Sequence, residues 1–94
     1  MDQHDAKLIA EKQLATIQRE CPVAISFNDE ITEKHPVGYV FFYNATKYWE
    51  TKDFIDSLAG NGPILVKNDG EVVTLPSHQS VQRSLDELPS RPPA

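Results

Sequence analysis

The sequence predicts an α+β domain with an N-terminal helix, a small antiparallel sheet of about four strands, a short middle helix and a C-terminal helix. Apolar residues recur at spacings of three and four near both ends of the chain, which is typical of amphipathic helices, and β-prone runs lie between them. The 94 residues allow one modest core, so we expect a single domain over residues 1–94.

The first helix is predicted over Asp5–Glu20, a segment rich in Ala, Lys, Leu, Glu and Gln. Pro22 has no N–H and disfavours helical geometry in the residue before it, so we expect the helix to stop there. The apolar positions of its buried face are Ala6, Ala10, Leu14, Ile17 and Cys21.

Two strands are predicted next, separated by an exposed connection over Asn28–Pro36. Val23, Ile25 and Phe27 alternate with small or polar residues, as expected of a half-buried strand. The run Gly38–Tyr43 is the most β-prone of the chain and is apolar on both faces, which predicts a central strand with both faces covered.

The following segment, Asn44–Thr51, is compatible with a continued strand or with a short helix, and its pattern leaves both open. A short helix is predicted over Asp53–Ala59, ended by Gly60, which can adopt the left-handed conformation of a C-terminal cap. The residues of this helix that we expect to face inward are Phe54, Ile55 and Leu58.

A β-hairpin is predicted from Ile64–Val66 and Val72–Leu75, with Asn68–Gly70 as its turn. Ser77 is a candidate cap for the final helix, and we expect the proline-containing segment Pro89–Ala94 to be a frayed tail. The apolar stripe of the final helix is formed by Val81, Leu85 and Leu88.

Composition restricts the classes of function. Nine Lys and Arg residues against fourteen Asp and Glu residues give a net charge of -5, which argues against nucleic-acid binding and suits a partner with a basic surface. The start of the sequence lacks a basic region followed by an apolar one, and no apolar run is long enough for a membrane span. We therefore expect a soluble cytoplasmic protein.

No pattern of residues predicts catalysis, a cofactor or a metal site. His4, His35 and His78 fall in separate loops or termini without metal-ligand spacing, so surface histidines are favoured. Cys21 continues an apolar stripe, which favours a small buried hydrophobe over a nucleophile. A glycine-rich segment lacks the Lys and Ser/Thr of a phosphate-binding loop and precedes a strand, so we interpret it as a structural turn. That segment consists of Gly60, Asn61, Gly62 and Pro63.

Two groups of residues are candidates for contact with a partner. One is acidic and lies on a predicted loop, where it can steer a basic protein; the other contains Tyr and Trp, which are enriched at interface hot spots. Core packing against the terminal helix is an equally weighted interpretation of Tyr48 and Trp49. The candidate contact residues are Asp29, Glu30, Glu33, Tyr48, Trp49 and Glu50.

The order of these motifs resembles the immunity protein 35 family, which includes YrhB-like proteins. The segment Leu58–Val66 contains the more specific part of the resemblance, Leu-Ala-Gly-Asn before a strand-turn-strand, whereas the aromatic strand is less specific. The chain departs from the family pattern at Pro76 and at the end of the last helix. The resemblance is carried by Gly38–Asn44, Asp53, Leu58–Val66, Asp69, Gly70, Val72 and Leu75.

This resemblance implies a small bacterial protein, often encoded beside a polymorphic toxin, that protects the producing cell by binding the toxin. It implies no enzymatic activity, and it suggests that the protein occludes the toxin's active site or substrate groove. The alternative is a chaperone-like holdase that binds unfolded clients, because the YrhB-like branch can include members without a toxin. A homodimer through an exposed sheet edge also remains open.

Overall fold

The computed structural model describes residues 1–88, so the predicted tail, Pro89–Ala94, lies outside the described residues. A four-stranded sheet has a long helix on one face and a short helix on the other, and a two-stranded sheet stands beside it. The elements are α1 (Gln3–Gln18), β1 (Ile25–Phe27), a first 3-10 turn (Asp29–Ile31), β2 (Glu33–His35), β3 (Gly38–Phe41), β4 (Tyr43–Ala45), α2 (Thr46–Thr51), a second 3-10 turn (Phe54–Asp56), β5 (Ile64–Lys67), β6 (Val72–Thr74) and α3 (Val81–Asp86).

Helix α1 begins before the predicted bound because Asp2 caps it, and it ends two residues before the predicted Glu20. The Asp2 carboxylate accepts a hydrogen bond from the Asp5 N–H at 2.9 Å, which satisfies one of the free donors of the first turn. Ala6 and Ala10 are fully buried, and their small side chains allow the helix to lie close to the sheet. At the other end, the Gln18 side chain accepts from the N–H of Ile25 at 2.8 Å and so ties the helix to β1.

The main sheet is antiparallel throughout, in the order β2-β3-β5-β6, and this confirms the predicted α+β class. Its two central strands, β3 and β5, carry the core. Successive side chains of a strand point to opposite faces, so Tyr39 and Phe41 pack toward α1, while Val40 and Leu65 pack toward α3. The predicted hairpin is confirmed as β5 and β6, and Gly70 in its turn has a φ of 91°.

The aromatic run predicted as one strand is divided between the two sheets, which corrects that prediction. Residues 38–41 pair with β5, whereas Tyr43–Ala45 pairs with β1. Phe41 is opposite Ile64, and the residue before Ile64 is Pro63, which has no N–H to extend the ladder. Phe42 therefore leaves the main sheet, and its carbonyl accepts a hydrogen bond from the N–H of Asn28 at 3.1 Å.

The segment predicted as an exposed connection, Asn28–Pro36, contains the first 3-10 turn and the edge strand β2. Glu33 pairs with Val40 and Lys34 with Tyr39 across the β2–β3 ladder. Charged residues are common in edge strands, so β2 lacks the alternating apolar residues from which a strand is predicted. The segment Asn44–Thr51, for which the sequence left a strand and a short helix as alternatives, contains both: the end of β4 and then helix α2.

The helix predicted over Asp53–Ala59 is wrong. Only the second 3-10 turn forms there, and the side chains of Phe54 and Ile55 are 86% and 85% exposed rather than inward. The Asp53 carboxylate caps the N–H of Ile55 at 3.1 Å, and Ser57 is already extended, so the turn cannot continue as a helix. Leu58 does pack against the core, as predicted.

Two smaller predictions also need correction. Ser80, rather than Ser77, caps α3, because its hydroxyl accepts a hydrogen bond from the N–H of Arg83 at 3.2 Å. Cys21 lies beyond the end of α1 rather than on it, although it is half-buried and packs against the α1 side of the core. The stripe of the last helix packs on the opposite face of the sheet as expected.

The glycine-rich turn connects the two sheets through close backbone contacts. Gly60 has a φ of 78°, the left-handed conformation, but it follows extended chain instead of ending a helix. The Asn61 side-chain amide donates to the carbonyl of Tyr43 at 2.7 Å. A Cβ placed on Gly62 would lie 1.6 Å from the carbonyl oxygen of Leu75, so only glycine fits at this position.

We expect Gly62→Ala to lower the free energy of unfolding by about 3 kcal/mol, because the added methyl group displaces the backbone beside β6. Gly60→Ala is the matched control: it meets no atom within 4 Å and costs only the left-handed backbone strain, about 1 kcal/mol. Urea unfolding followed by circular dichroism measures both values. Equal losses in the two variants would contradict the close approach.

Candidate protein-binding surface

An open recess of about 400 Å³ lies where β1, the first 3-10 turn and α2 meet. It combines two carboxylates, an indole ring and an ammonium group. We refer to it below as the recess. Its lining consists of Ser26, Phe27, Asn28, Asp29, Glu30, Trp49 and Lys52.

Trp49 is anchored by its polar edge. Its Nε1 donates a hydrogen bond to the carbonyl oxygen of Ser26 at 2.9 Å, which joins α2 to β1. The start of α2 is joined to the same strand, because the Thr46 hydroxyl bonds the Ser26 hydroxyl at 3.0 Å and the Thr46 N–H donates to the Ala24 carbonyl at 2.9 Å. These three contacts fix the indole ring in a half-buried position at the recess.

The carboxylates of the recess are positioned by a short capped turn. Asn28 accepts a hydrogen bond from the N–H of Glu30 at 3.1 Å, which holds the first 3-10 turn in place. Asp29 forms a salt bridge with Lys7 of α1, and its side chain remains 56% exposed. Both acidic side chains therefore stand at the solvent-facing side of the recess on a fixed backbone.

Lys52 closes the other side of the recess. Its ammonium lies 5.3 Å from the centroid of the Trp49 ring, within the range of a cation–π contact. The residue has a φ of 59° and ends α2, with its N–H donating to the carbonyl of Tyr48 at 2.7 Å. The indole face is therefore already occupied by a cation, which shows the kind of group that this face accepts.

The structure brings together three of the six residues predicted to contact a partner. Asp29, Glu30 and Trp49 line the recess. Tyr48 stacks beside the indole, with ring centroids 5.3 Å apart, and both rings are half-buried, between the two interpretations of core and interface. Glu50 is exposed on α2, whereas Glu33 lies on β2, where it contacts His35 at 2.8 Å.

Sequence reasoning missed Lys7, Ser26, Asn28 and Lys52 as parts of this surface. Only Asn28 carried a local signal, since Asn before a turn commonly caps the next N–H groups. Lys7 and Ser26 belong to this surface through contacts between elements that are distant in sequence, which no spacing within one element could have predicted. Lys52 lies close to Trp49 in sequence, but its place beside the indole goes with a left-handed conformation that is uncommon for residues other than glycine.

Nothing in the described part of the chain has the arrangement of a metal centre. Residues 1–88 contain no group of three or more His, Cys, Asp or Glu side chains that could hold an ion. The pKa values of Tyr43 and Glu87 are displaced, and neither residue lines the recess. Burial, and then the nearby Cys21, raises the pKa of Tyr43; hydrogen bonds from Gln79 and Arg83 lower the pKa of Glu87.

Comparison with protein families gives a match to immunity protein 35 over residues 4–88, which contains every helix and strand except the first residue of α1. The chain belongs to the immunity protein 35 family. No match is found among curated proteins or among solved structures. No helix within residues 1–88 is long and apolar enough to span a membrane. In this immunity-family protein, the recess combines two carboxylates with an indole ring.

We expect Trp49→Phe to lower the free energy of unfolding by about 1–2 kcal/mol, because the variant loses the hydrogen bond to Ser26 and part of the apolar contact. Tyr48→Phe is the control, since the Tyr48 hydroxyl forms no hydrogen bond with any residue in 1–88, and we expect a change below about 0.5 kcal/mol. Urea unfolding followed by circular dichroism measures the free energy of unfolding of both variants. An unchanged midpoint for Trp49→Phe would mean that the indole does not anchor α2.

Proposed function

We propose that this protein binds a cognate polymorphic toxin and neutralises it by covering the toxin's active site or substrate groove. The family match over residues 4–88 carries the proposal. The matched range includes β1, the first 3-10 turn and α2, which form the recess. The proposed contact surface is centred on the recess and comprises Asp29, Glu30, Glu33, Tyr48, Trp49 and Glu50.

The charge of this surface supports a basic partner. The whole chain has a net charge of -5. Among residues 1–88, Glu30 and Glu50 have no ion-pair partner, so their carboxylates are available to lysine or arginine side chains of another protein. Complementary charge raises the rate of encounter between two proteins and favours one orientation of docking.

The arrangement of the recess supports inhibition by binding alone. The Glu30 carboxylate can form an ion pair with an arginine or lysine side chain of the partner, and a partner cation that displaces Lys52 can take its place over the Trp49 ring. Stoichiometric occlusion requires a rigid complementary surface rather than a reacting group. The anchored positions of Trp49 and Asn28 provide that rigidity.

The proposal is tested by affinity capture of the tagged full chain from its native host. Bound proteins are identified by mass spectrometry, and light scattering gives the stoichiometry of the purified complex. We expect one dominant toxin at a fixed ratio. A broad set of proteins that grows on heating would instead support the holdase alternative and contradict immunity.

Reversal of charge at the recess tests whether its carboxylates attract a basic toxin. We expect Asp29→Lys with Glu30→Lys to slow association with the captured toxin by about tenfold at low salt, with a smaller effect at high salt. Asp86→Lys with Glu87→Lys is the control of equal charge change, because both residues lie at the end of α3 on the opposite face of the main sheet. Equal association rates for the double variant and the control would exclude the recess from the interface.

A further inference from the structure

The second 3-10 turn displays two large apolar side chains in solvent. Phe54 and Ile55 are 86% and 85% exposed, whereas Leu8, another exposed apolar residue, is 49% exposed. Neither side chain packs against the core clusters of the described chain. Contiguous exposed apolar groups of this kind mark interaction sites more often than isolated ones do. We refer to these two residues as the apolar tip.

The apolar tip is held in a fixed conformation by polar contacts beneath it. The Asp53 carboxylate caps the N–H of Ile55 at 3.1 Å, and the Ser57 hydroxyl donates to the carbonyl of Phe54 at 2.9 Å. The Thr51 hydroxyl donates to Asp56 at 2.8 Å, which ties the turn to the end of α2. A preformed tip loses little backbone freedom on binding, and this favours affinity.

An apolar groove extends the tip toward the body of the protein. Ile55 and Leu58 both line this groove, so it joins a residue of the tip to one that packs against the core. Val23, which also lines it, is 44% exposed. The tip and the groove together offer a larger apolar contact than two side chains alone.

Negative charge exceeds positive charge around the tip. Its acidic neighbours in sequence are Glu50, Asp53 and Asp56, and the first two have no ion-pair partner among residues 1–88. The nearby cations are Lys47, 3.6 Å from Asp56, and Lys52, whose ammonium lies over the Trp49 ring. A second copy of the chain in a symmetric contact would set this excess of negative charge against itself, and an anionic membrane would repel it. Charge complementarity therefore selects a protein partner whose apolar cleft has a basic rim.

We propose that Phe54 and Ile55 form the apolar anchor of the toxin interface and insert into an apolar cleft on the toxin that is bordered by lysine or arginine. This inference rests on the proposed function and adds a second contact to it. The recess binds basic side chains, and the tip, which follows directly after α2, supplies the buried apolar contact. A few residues that fill well-packed, desolvated pockets near the centre of an interface commonly carry most of the binding energy.

The experiment compares the full-length wild-type protein with the double variant Phe54→Ser/Ile55→Ser, using the purified toxin identified by affinity capture as the probe. We expect the variant to bind about a hundredfold more weakly by calorimetry, mainly through faster dissociation. Its thermal midpoint should match the wild type, since both residues are exposed. Leu8→Ser, the apolar control on α1, should stay within threefold of the wild-type affinity.

A photo-crosslinking amino acid at position 54 gives an independent reading, with the same amino acid at the exposed Gln82 of α3 as control. A crosslink from position 54 to an apolar cleft of the toxin, absent from position 82, supports the proposal. A crosslink from position 54 to a second copy of the chain overturns it.

The outcomes separate the two proposals. If the wild-type protein binds the toxin and Phe54→Ser/Ile55→Ser binds within threefold of it, the apolar anchor is wrong and the immunity function stands. If the wild-type protein has no single partner, the immunity function is wrong and the anchor falls with it. A lower thermal midpoint for the double variant would show that the tip has a structural role and would also overturn the anchor.

Discussion

The extended run from β3 into β4 is the constraint on which the rest of the structure depends. Pro63 has no N–H to pair with the strand from β3, so the β3–β5 ladder ends at Ile64 and the run passes from the main sheet to the small sheet at Phe42. From β4, the Asn44 side chain accepts a hydrogen bond from the N–H of Leu58 at 2.8 Å, and the Tyr43 carbonyl accepts from Asn61. This transfer sets the position of β1, α2 and the turn that carries the apolar tip.

The two faces of the main sheet have different roles. The α3 face is a small apolar cluster around Val40 and Leu65, closed by the last helix. The α1 face continues into the small sheet, so the larger cluster reaches from Ala6 to Tyr43 and Leu58. The recess and the apolar tip both belong to the end of the molecule built on this continuation, which leaves α3 as a covering element away from both.

Local patterns in the sequence were sufficient for elements with many apolar residues at regular spacing. Helix α1 and the β5–β6 hairpin were predicted for that reason, and the class of the fold follows from them. β2 was missed because its edge position tolerates charged residues, and the break at Phe42 was missed because it depends on a proline on another strand. Phe54 and Ile55 were predicted to face inward because an apolar residue in a short segment usually packs against a core.

The candidate site was predictable only in part, for a related reason. Acidic residues on a loop and an aromatic pair are visible in the sequence, so Asp29, Glu30 and Trp49 could be proposed without a structure. Their meeting at one recess depends on the hydrogen bond from Trp49 to Ser26, which joins residues that are distant in sequence. This contact has no signature within a single segment of the chain.

The edges of the main sheet have a consequence for how this chain behaves at high concentration. Both edge strands, Glu33–His35 and Val72–Thr74, are three residues long, and one of them presents Glu33 and Lys34. A short charged edge offers few free N–H and C=O groups, and a strand added there would have to accommodate the charges. The edges of the main sheet are therefore poorly suited to template the stacked strands of fibrils.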